Sequence, residues 1–198
     1  MKLYCATSNP GKLREFRLAA GAGLEIVALT GIPPCEETGG TFEENAIQKA
    51  AYYSRHRAGL LFAEDSGLEV DALGGALGVR SARFAGEGTS DEANNRLLME
   101  RLRGVGDRRA RYCCAIALAE GGRVLQTFRG EVAGEIIDEP RGSNGFGYDP
   151  YFWYKPFGLT FAEVAPERKL AVSHRGQAVG RMRDWLFENL LGRHIAGL

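Results

Sequence analysis

This chain has no excess of charge, no long apolar run and little cysteine, and each lack removes a class of protein. Its 198 residues hold 25 Lys and Arg against 25 Asp and Glu, a formal net charge of +0. Proteins that bind nucleic acid or a membrane surface carry a basic excess or patch, so neither is an expected partner, and any phosphate is held by a few placed residues. The longest apolar run, Tyr112 to Ala119, is far short of the ~20 residues of a membrane span. The start of the chain lacks the apolar core of a secretory signal, and a cytoplasmic location is expected. The four cysteines, Cys5, Cys35, Cys113 and Cys114, have neither the C-x-x-C spacing of a zinc or redox site nor the density of a disulfide scaffold. Reduced, buried thiols are expected. What is present, 44% hydrophobic and 25% charged residues, is the composition of an ordinary globular protein. At ~100–200 residues per domain, residues 1–198 are expected to form one.

The apolar pattern predicts an α/β fold. Leu3 to Thr7 reads as a short buried strand that runs into the turn residues Ser8-Asn9-Pro10-Gly11 and then a helix with Leu13, Phe16 and Ala20 on one face. Leu24 to Leu29 alternates as a second strand, and Thr30 to Gly40 is a loop. Thr41 and Glu44 form a capping box for a helix running to about Arg57. Leu60 to Ala63 is a compact strand that ends at Glu64-Asp65-Ser66-Gly67, and Ser90-Asp91-Glu92 opens a helix with Ala93, Leu97 and Met99 to Leu102 inward. Arg111 to Glu120 and Arg123 to Ile137 make a hairpin at Gly121-Gly122. Tyr151 to Tyr154 reads as another strand, and Ala178, Met182, Trp185, Leu186 and Leu190 mark a final helix. The sum is a mixed central β-sheet flanked by helices.

Four polar clusters fall at strand ends or helix starts, where α/β proteins place ligands. Thr7-Ser8-Asn9-Pro10-Gly11-Lys12 is either a phosphate-binding helix start, with free amides and a lysine, or a capped turn with a solvated lysine. It is not a Walker A loop, because Ala6 stands where glycine is needed and Leu13 where Ser or Thr would hold magnesium. A second cluster joins Glu36-Glu37 with the helix of Asn45 and Lys49; Lys49 lies on an otherwise apolar face beside Asn45, so it either snorkels or pairs with something anionic. Glu64 and Asp65 point to opposite faces of a strand, which suits either a magnesium site shared with Glu37 or a solvated acidic turn. Finally, the loop Gly142 to Pro150 carries Phe146 and Tyr148, on which a base can stack, with Lys169 and Ser173-His174-Arg175 downstream. The bland alternative is a mobile loop and a helix cap at Ser173.

Thr7 to Lys12, Thr41 to Ala50, Glu64 to Leu68, Phe146 to Pro150 and Ser173 to Ala178 resemble, in order and spacing, the inosine triphosphate pyrophosphatase family. The resemblance covers nearly the whole chain. It implies hydrolysis of inosine, deoxyinosine and xanthosine triphosphates to monophosphate and pyrophosphate, clearing damaged purines from the nucleotide pool. It also implies a homodimer of two-lobed subunits with the site in a cleft between lobes, and a requirement for Mg²⁺. Carried onto this chain, Thr7, Ser8, Asn9, Pro10, Gly11 and Lys12 hold the triphosphate, and Asp65 is the catalytic carboxylate. Glu37 and Asp65 bind or position Mg²⁺, and Ser66 touches the substrate. Lys49 and Lys169 lie near the phosphates, Phe146, Gly147, Tyr148 and Asp149 bind the base, and His174 and Arg175 meet the purine edge. Two other readings stay open: a nucleotide-binding regulator without turnover, and a triphosphatase acting on modified pyrimidines.

Overall fold

The structure is a computed structural model that describes residues 1–75 and 77–191. β1 (Lys2–Ala6), α1 (Pro10–Ala20), β2 (Glu25–Ala28), α2 (Phe42–His56) and β3 (Leu61–Val70) come first. They are followed by α3 (Asp91–Arg101), β4 (Arg109–Glu120), β5 (Arg123–Ile136), β6 (Phe152–Tyr154) and β7 (Leu159–Thr160), and then by α4 (Pro166–Leu170) and α5 (His174–Leu186). The strands form one seven-stranded sheet in the order β2-β1-β3-β4-β5-β6-β7. β1 runs parallel to both β2 and β3, and every later pairing is antiparallel, which gives the mixed α/β sheet expected from the sequence.

That order positions the site. α1 carries the chain from β1 to β2 on one side, and α2 carries it from β2 past β1 to β3 on the other. Crossovers of one hand running in opposite directions place their helices on opposite faces. Between β1 and β3 the chain order reverses, and such a switch point leaves a crevice beyond the strand ends, with Ala6 beside Ala63 at its base. Strand alternation then sorts the side chains. Leu3, Cys5, Phe62, Cys114, Ile116 and Leu118 pack with Phe16 of α1 and Ala178 and Met182 of α5. Ala63, Cys113, Ala115, Ala117 and Ala119 face α2, which answers with Ala46 and Ala50. Alanine against alanine lets α2 lie close to the sheet. A third cluster, with Leu68, Leu98, Tyr112, Phe152 and Phe161, fills the far end.

Several local expectations are corrected. β3 does not end at Ala63 but continues through Glu64-Asp65-Ser66-Gly67 to Val70, because Asp65, Ser66 and Gly67 pair with Ala115, Cys114 and Cys113 of β4. Gly67 marks a close approach rather than a turn: a Cβ there would collide with Ser81 and the Gly78 carbonyl. The buried side of α3 is Asn94, Asn95 and Leu98, with Leu102 just beyond it buried and Met99 packed against the core as expected, whereas Ala93 and Leu97 are only half-buried. Asn94 replaces apolar contact with hydrogen bonds, accepting from the Ala85 N–H at 2.8 Å and donating to the Ala82 carbonyl at 3.2 Å. β7 and α4 have no counterpart in the sequence reading. Cys5, Cys113 and Cys114 are buried free thiols, and Cys35 is half-buried and free. Leu190 lies beyond α5, and its side chain is outside the described set.

Candidate active site

The crevice at the switch point opens into a cavity of about 490 Å³ lined by Thr7, Ser8, Asn9 and Lys12 on one side and by Glu37, Lys49, Glu64, Asp65 and Ser66 on the other. Asn9 caps α1, its Oδ1 accepting the Lys12 N–H at 3.0 Å, and no acidic residue sits in the first turn. An uncompensated helix start of this kind favours an anion. Lys12 is not a solvated lysine on a turn: its ammonium lies 2.7 Å from Glu64. From the opposite face, Asn45 and Lys49, one helical turn apart on α2, both reach Asp65. The Asn45 amide donates at 3.0 Å and the Lys49 ammonium stands 3.5 Å away. Lys49 is also 3.2 Å from Glu37, so it is paired and not snorkelling. The loop that carries Glu37 is pinned to α2, with the Gly39 N–H on Asn45 Oδ1 at 2.8 Å and the Thr38 N–H on Gln48 Oε1 at 3.2 Å.

Adjacent residues on β3 therefore meet different fields. Burial pushes the Asp65 carboxyl up, the Glu64 charge adds to the rise, and Lys49 with Asn45 offsets only part of it. Burial raises Glu64 too, but Lys12, Arg175 and Lys49 outweigh it and hold that carboxyl down at about 2. Neighbouring carboxyls driven apart in this way divide into a permanent anion and a group able to exchange a proton. The donor set also suits a hard divalent cation. Glu37 and Asp65 already share one cationic centre, the Lys49 ammonium, and Glu64 Oε2 is buried with no partner. Among the described residues no three His, Cys, Asp or Glu side chains converge as a ready-made cage. Mg²⁺ uses one or two carboxylates and takes the rest of its ligands from water and phosphate.

The second part of the site is more deeply buried. Phe146 lays its ring on the start of α1 at Gly11, where a Cβ would come within 2.8 Å of the ring. The Arg175 guanidinium and the Lys169 ammonium stand 5.1 and 5.5 Å from the ring centre. Behind it Glu15, on α1, accepts from Lys169 at 2.7 Å and from Arg175 at 2.5 Å, and Asp149 accepts from Lys169 at 2.5 Å and from the Phe146 N–H at 3.1 Å. Arg175 also donates to the Ser66 hydroxyl at 3.1 Å, while its Nε is buried without a partner. His174 stacks on Tyr112, with ring centres 4.7 Å apart and planes 8° from parallel, and neither of its ring nitrogens has a partner. Burial first, then the charges of Arg175 and Lys169, hold its pKa well below the ordinary histidine value, so it is a neutral imidazole. Gly147 is held from α3, its N–H donating to Asp91 at 2.7 Å and its carbonyl accepting from Asn95 at 3.0 Å. Asn9, Lys12, Ser66, Phe146, Tyr148 and Arg175 are among the residues around a cavity of only about 70 Å³.

The family model described as "Ham1 family" matches residues 3–185. The chain belongs to the Ham1 family. A dITP/XTP pyrophosphatase of Acidobacterium capsulatum is 51% identical over 192 residues, covering 90% of this chain and 95% of the relative. One of Exiguobacterium sp. is 48% identical over 186 residues, covering 92% and 95%. Among solved structures, a HAM1 protein from Coxiella burnetii superposes with a TM-score of 0.85 at 39% identity, covering 95% of this chain and 99% of that one.

Within this Ham1 chain, Thr7, Ser8, Asn9, Lys12, Glu37, Lys49, Asp65 and Ser66 line one cavity, with Pro10 and Gly11 in the first turn of α1 beside it; Phe146, Gly147, Asp149 and Arg175 line the second, and His174 stacks on Tyr112, which lines it as well. Two expectations change. Tyr148 is not an exposed stacking face: it is buried, and its hydroxyl donates to the Ser81 carbonyl at 2.7 Å. Lys169, expected near the phosphates, is 3% exposed between Glu15 and Asp149, because those carboxylates neutralise it where water does not reach. Glu15 is the residue the sequence reading missed. No local signal marks it, since its partners Lys169 and Arg175 lie 154 and 160 residues downstream.

Proposed function

We propose that this chain hydrolyses the non-canonical purine nucleoside triphosphates dITP, XTP and ITP to the nucleoside monophosphate and pyrophosphate, removing deaminated purines before they enter DNA or RNA. One observation carries the reading. On β3, Asp65 is held by Asn45 and Lys49 in the larger cavity, while its neighbour Ser66, which borders both cavities, takes the Arg175 guanidinium at the small pocket. A single strand thus fixes the spacing between a phosphate-cleaving group and a base-reading group. The curated relatives, named dITP/XTP pyrophosphatases, support the same substrates.

Hydrolysis at the α-phosphorus needs an activated water, neutralised phosphate oxygens and fixed geometry. Asp65, pushed up by burial, takes the proton from that water. The α1 start with Thr7, Ser8, Asn9 and Lys12 binds phosphate oxygens, and Lys49 exchanges its carboxylate partners for them. Glu37 and Asp65 would hold Mg²⁺, which when bound supplies charge neutralisation at the phosphates. Phe146 stacks on the base. The free Arg175 Nε is a donor for a 6-oxo purine, whereas the 6-amino group of adenine would set donor against donor. An unpaired buried donor costs ~1–3 kcal/mol, about ten- to a hundredfold. Lys169 acts through Asp149 and Glu15, fixing the loop. The small pocket has room for a few waters rather than a purine, so Phe146 moves outward as the base enters. The two-lobed cleft, a homodimer and a cytoplasmic location belong to the same proposal; no helix among the described residues is long and apolar enough to cross a membrane.

Product analysis on dITP, XTP, ITP, ATP, GTP and TTP, with Mg²⁺ and with chelator, tests this reading. Metal-dependent pyrophosphate from the first three supports it. Orthophosphate release, preference for TTP, or binding without products would replace it.

A further inference from the structure

The charges lining the larger cavity do not yet account for a polyanion. Its acids are Glu37, Glu64 and Asp65, and its cations are Lys12, Lys49 and Arg83. Both lysines are already matched inside the cavity, Lys12 by Glu64 and Lys49 by Glu37 and Asp65. Arg83 differs. Its ion-pair partner is Glu87, at 3.3 Å, which does not line this cavity and is 86% exposed. A pair so open to water is weak and readily exchanged. Arg83 therefore brings into the cavity the one positive charge, among its described lining residues, whose carboxylate lies outside it.

The backbone that presents Arg83 is fixed. Ser81 takes the Leu68 N–H of β3 on its hydroxyl oxygen at 2.8 Å, and Asn94 of α3 grips the Ala82 carbonyl and the Ala85 N–H, one residue before and two after. The Tyr148 hydroxyl holds the Ser81 carbonyl as well. A flexible guanidinium on a rigid base, in the same cavity as the α1 start, is what bidentate capture of phosphate oxygens requires.

We propose that Arg83 binds the β- and γ-phosphates, the part of the substrate that leaves as pyrophosphate, by giving up Glu87 for them. This rests on the triphosphate reading above and adds a residue to it. The test is titration calorimetry of the full-length protein with inorganic pyrophosphate and, separately, with deoxyinosine monophosphate, both at fixed Mg²⁺. Arg83→Gln is expected to weaken pyrophosphate binding roughly tenfold or more while leaving the monophosphate unchanged, Arg83→Lys to restore part of the loss, and Glu87→Gln to tighten pyrophosphate about twofold. The Glu87 variant is a gain that misfolding cannot mimic. Equal losses for both ligands, or none in Arg83→Gln with none gained in Glu87→Gln, would overturn the assignment. Failure of the wild-type chain to release pyrophosphate from dITP would instead overturn the reaction, since the pyrophosphate titration does not depend on turnover.

Discussion

The two ends of the site use the same residue types to opposite effect. At the phosphate end Lys49 and Glu37 remain 11% and 27% exposed around a roomy cavity. At the base end Lys169 and Glu15 are 3% and 9% exposed behind a cavity of about 70 Å³. Where water enters, a lysine can trade a carboxylate for a substrate phosphate at little cost. Where it does not, losing one partner strands a buried charge. The first set of pairs is a place-holder for the ligand, and the second is scaffold for Phe146, Asp149 and Arg175.

Substitutions can break this division. The largest effect falls on turnover: Asp65→Asn is expected to lower kcat by about 10²–10⁴-fold with the melting temperature little changed, read by pyrophosphate release and calorimetry. Near-normal kcat would remove Asp65 as the base. Next, Lys169→Ala should cost about 3–5 kcal/mol by stranding Glu15 and Asp149, a fall in Tm of roughly 10 °C. Lys49→Ala should cost less, because Glu37 is 27% exposed and Asp65, though buried, keeps the Asn45 amide, and equal losses would erase the contrast. Arg175→Ala should narrow the preference for ITP over ATP about ten- to a hundredfold, measured as the ratio of kcat/KM values, and an unchanged ratio would move recognition elsewhere.

The smallest effect is a displacement in pH. Because burial raises the Asp65 carboxyl, the acid limb of kcat/KM should lie above the ordinary aspartate value of ~3.9. Lys49→Met removes a positive charge that favours the ionised form, so Asp65 should protonate at higher pH and the limb should move up. A limb that stays put or moves down would separate Lys49 from Asp65.

The phosphate end was largely legible in the sequence, because its parts are contiguous: a capped turn before a helix, a capping box with Asn45 and Lys49 one turn apart, and an acid pair on a strand. At the base end Phe146, Asp149 and Arg175 were legible too, but the ion pairs that hold them were not. Glu15 meets Lys169 and Arg175 across separations of 154 and 160 residues, and no local pattern reveals a pairing that only the tertiary fold creates. Glycine misled at Gly67, since a residue chosen for close approach looks like one chosen for a turn. Tyr148 misled because an aromatic in a glycine-rich loop reads as exposed until its hydroxyl finds the Ser81 carbonyl.

In the proposed reaction Asp65 directs water to the α-phosphorus while Arg175, held by the neighbouring Ser66 of β3, reads the base. A single turnover of dITP in ¹⁸O-labelled water, with the products separated and weighed by mass spectrometry, tests it most directly. The label is expected in the monophosphate, with none in pyrophosphate. Label in pyrophosphate, or in released orthophosphate, would place the attack at another phosphorus and contradict it.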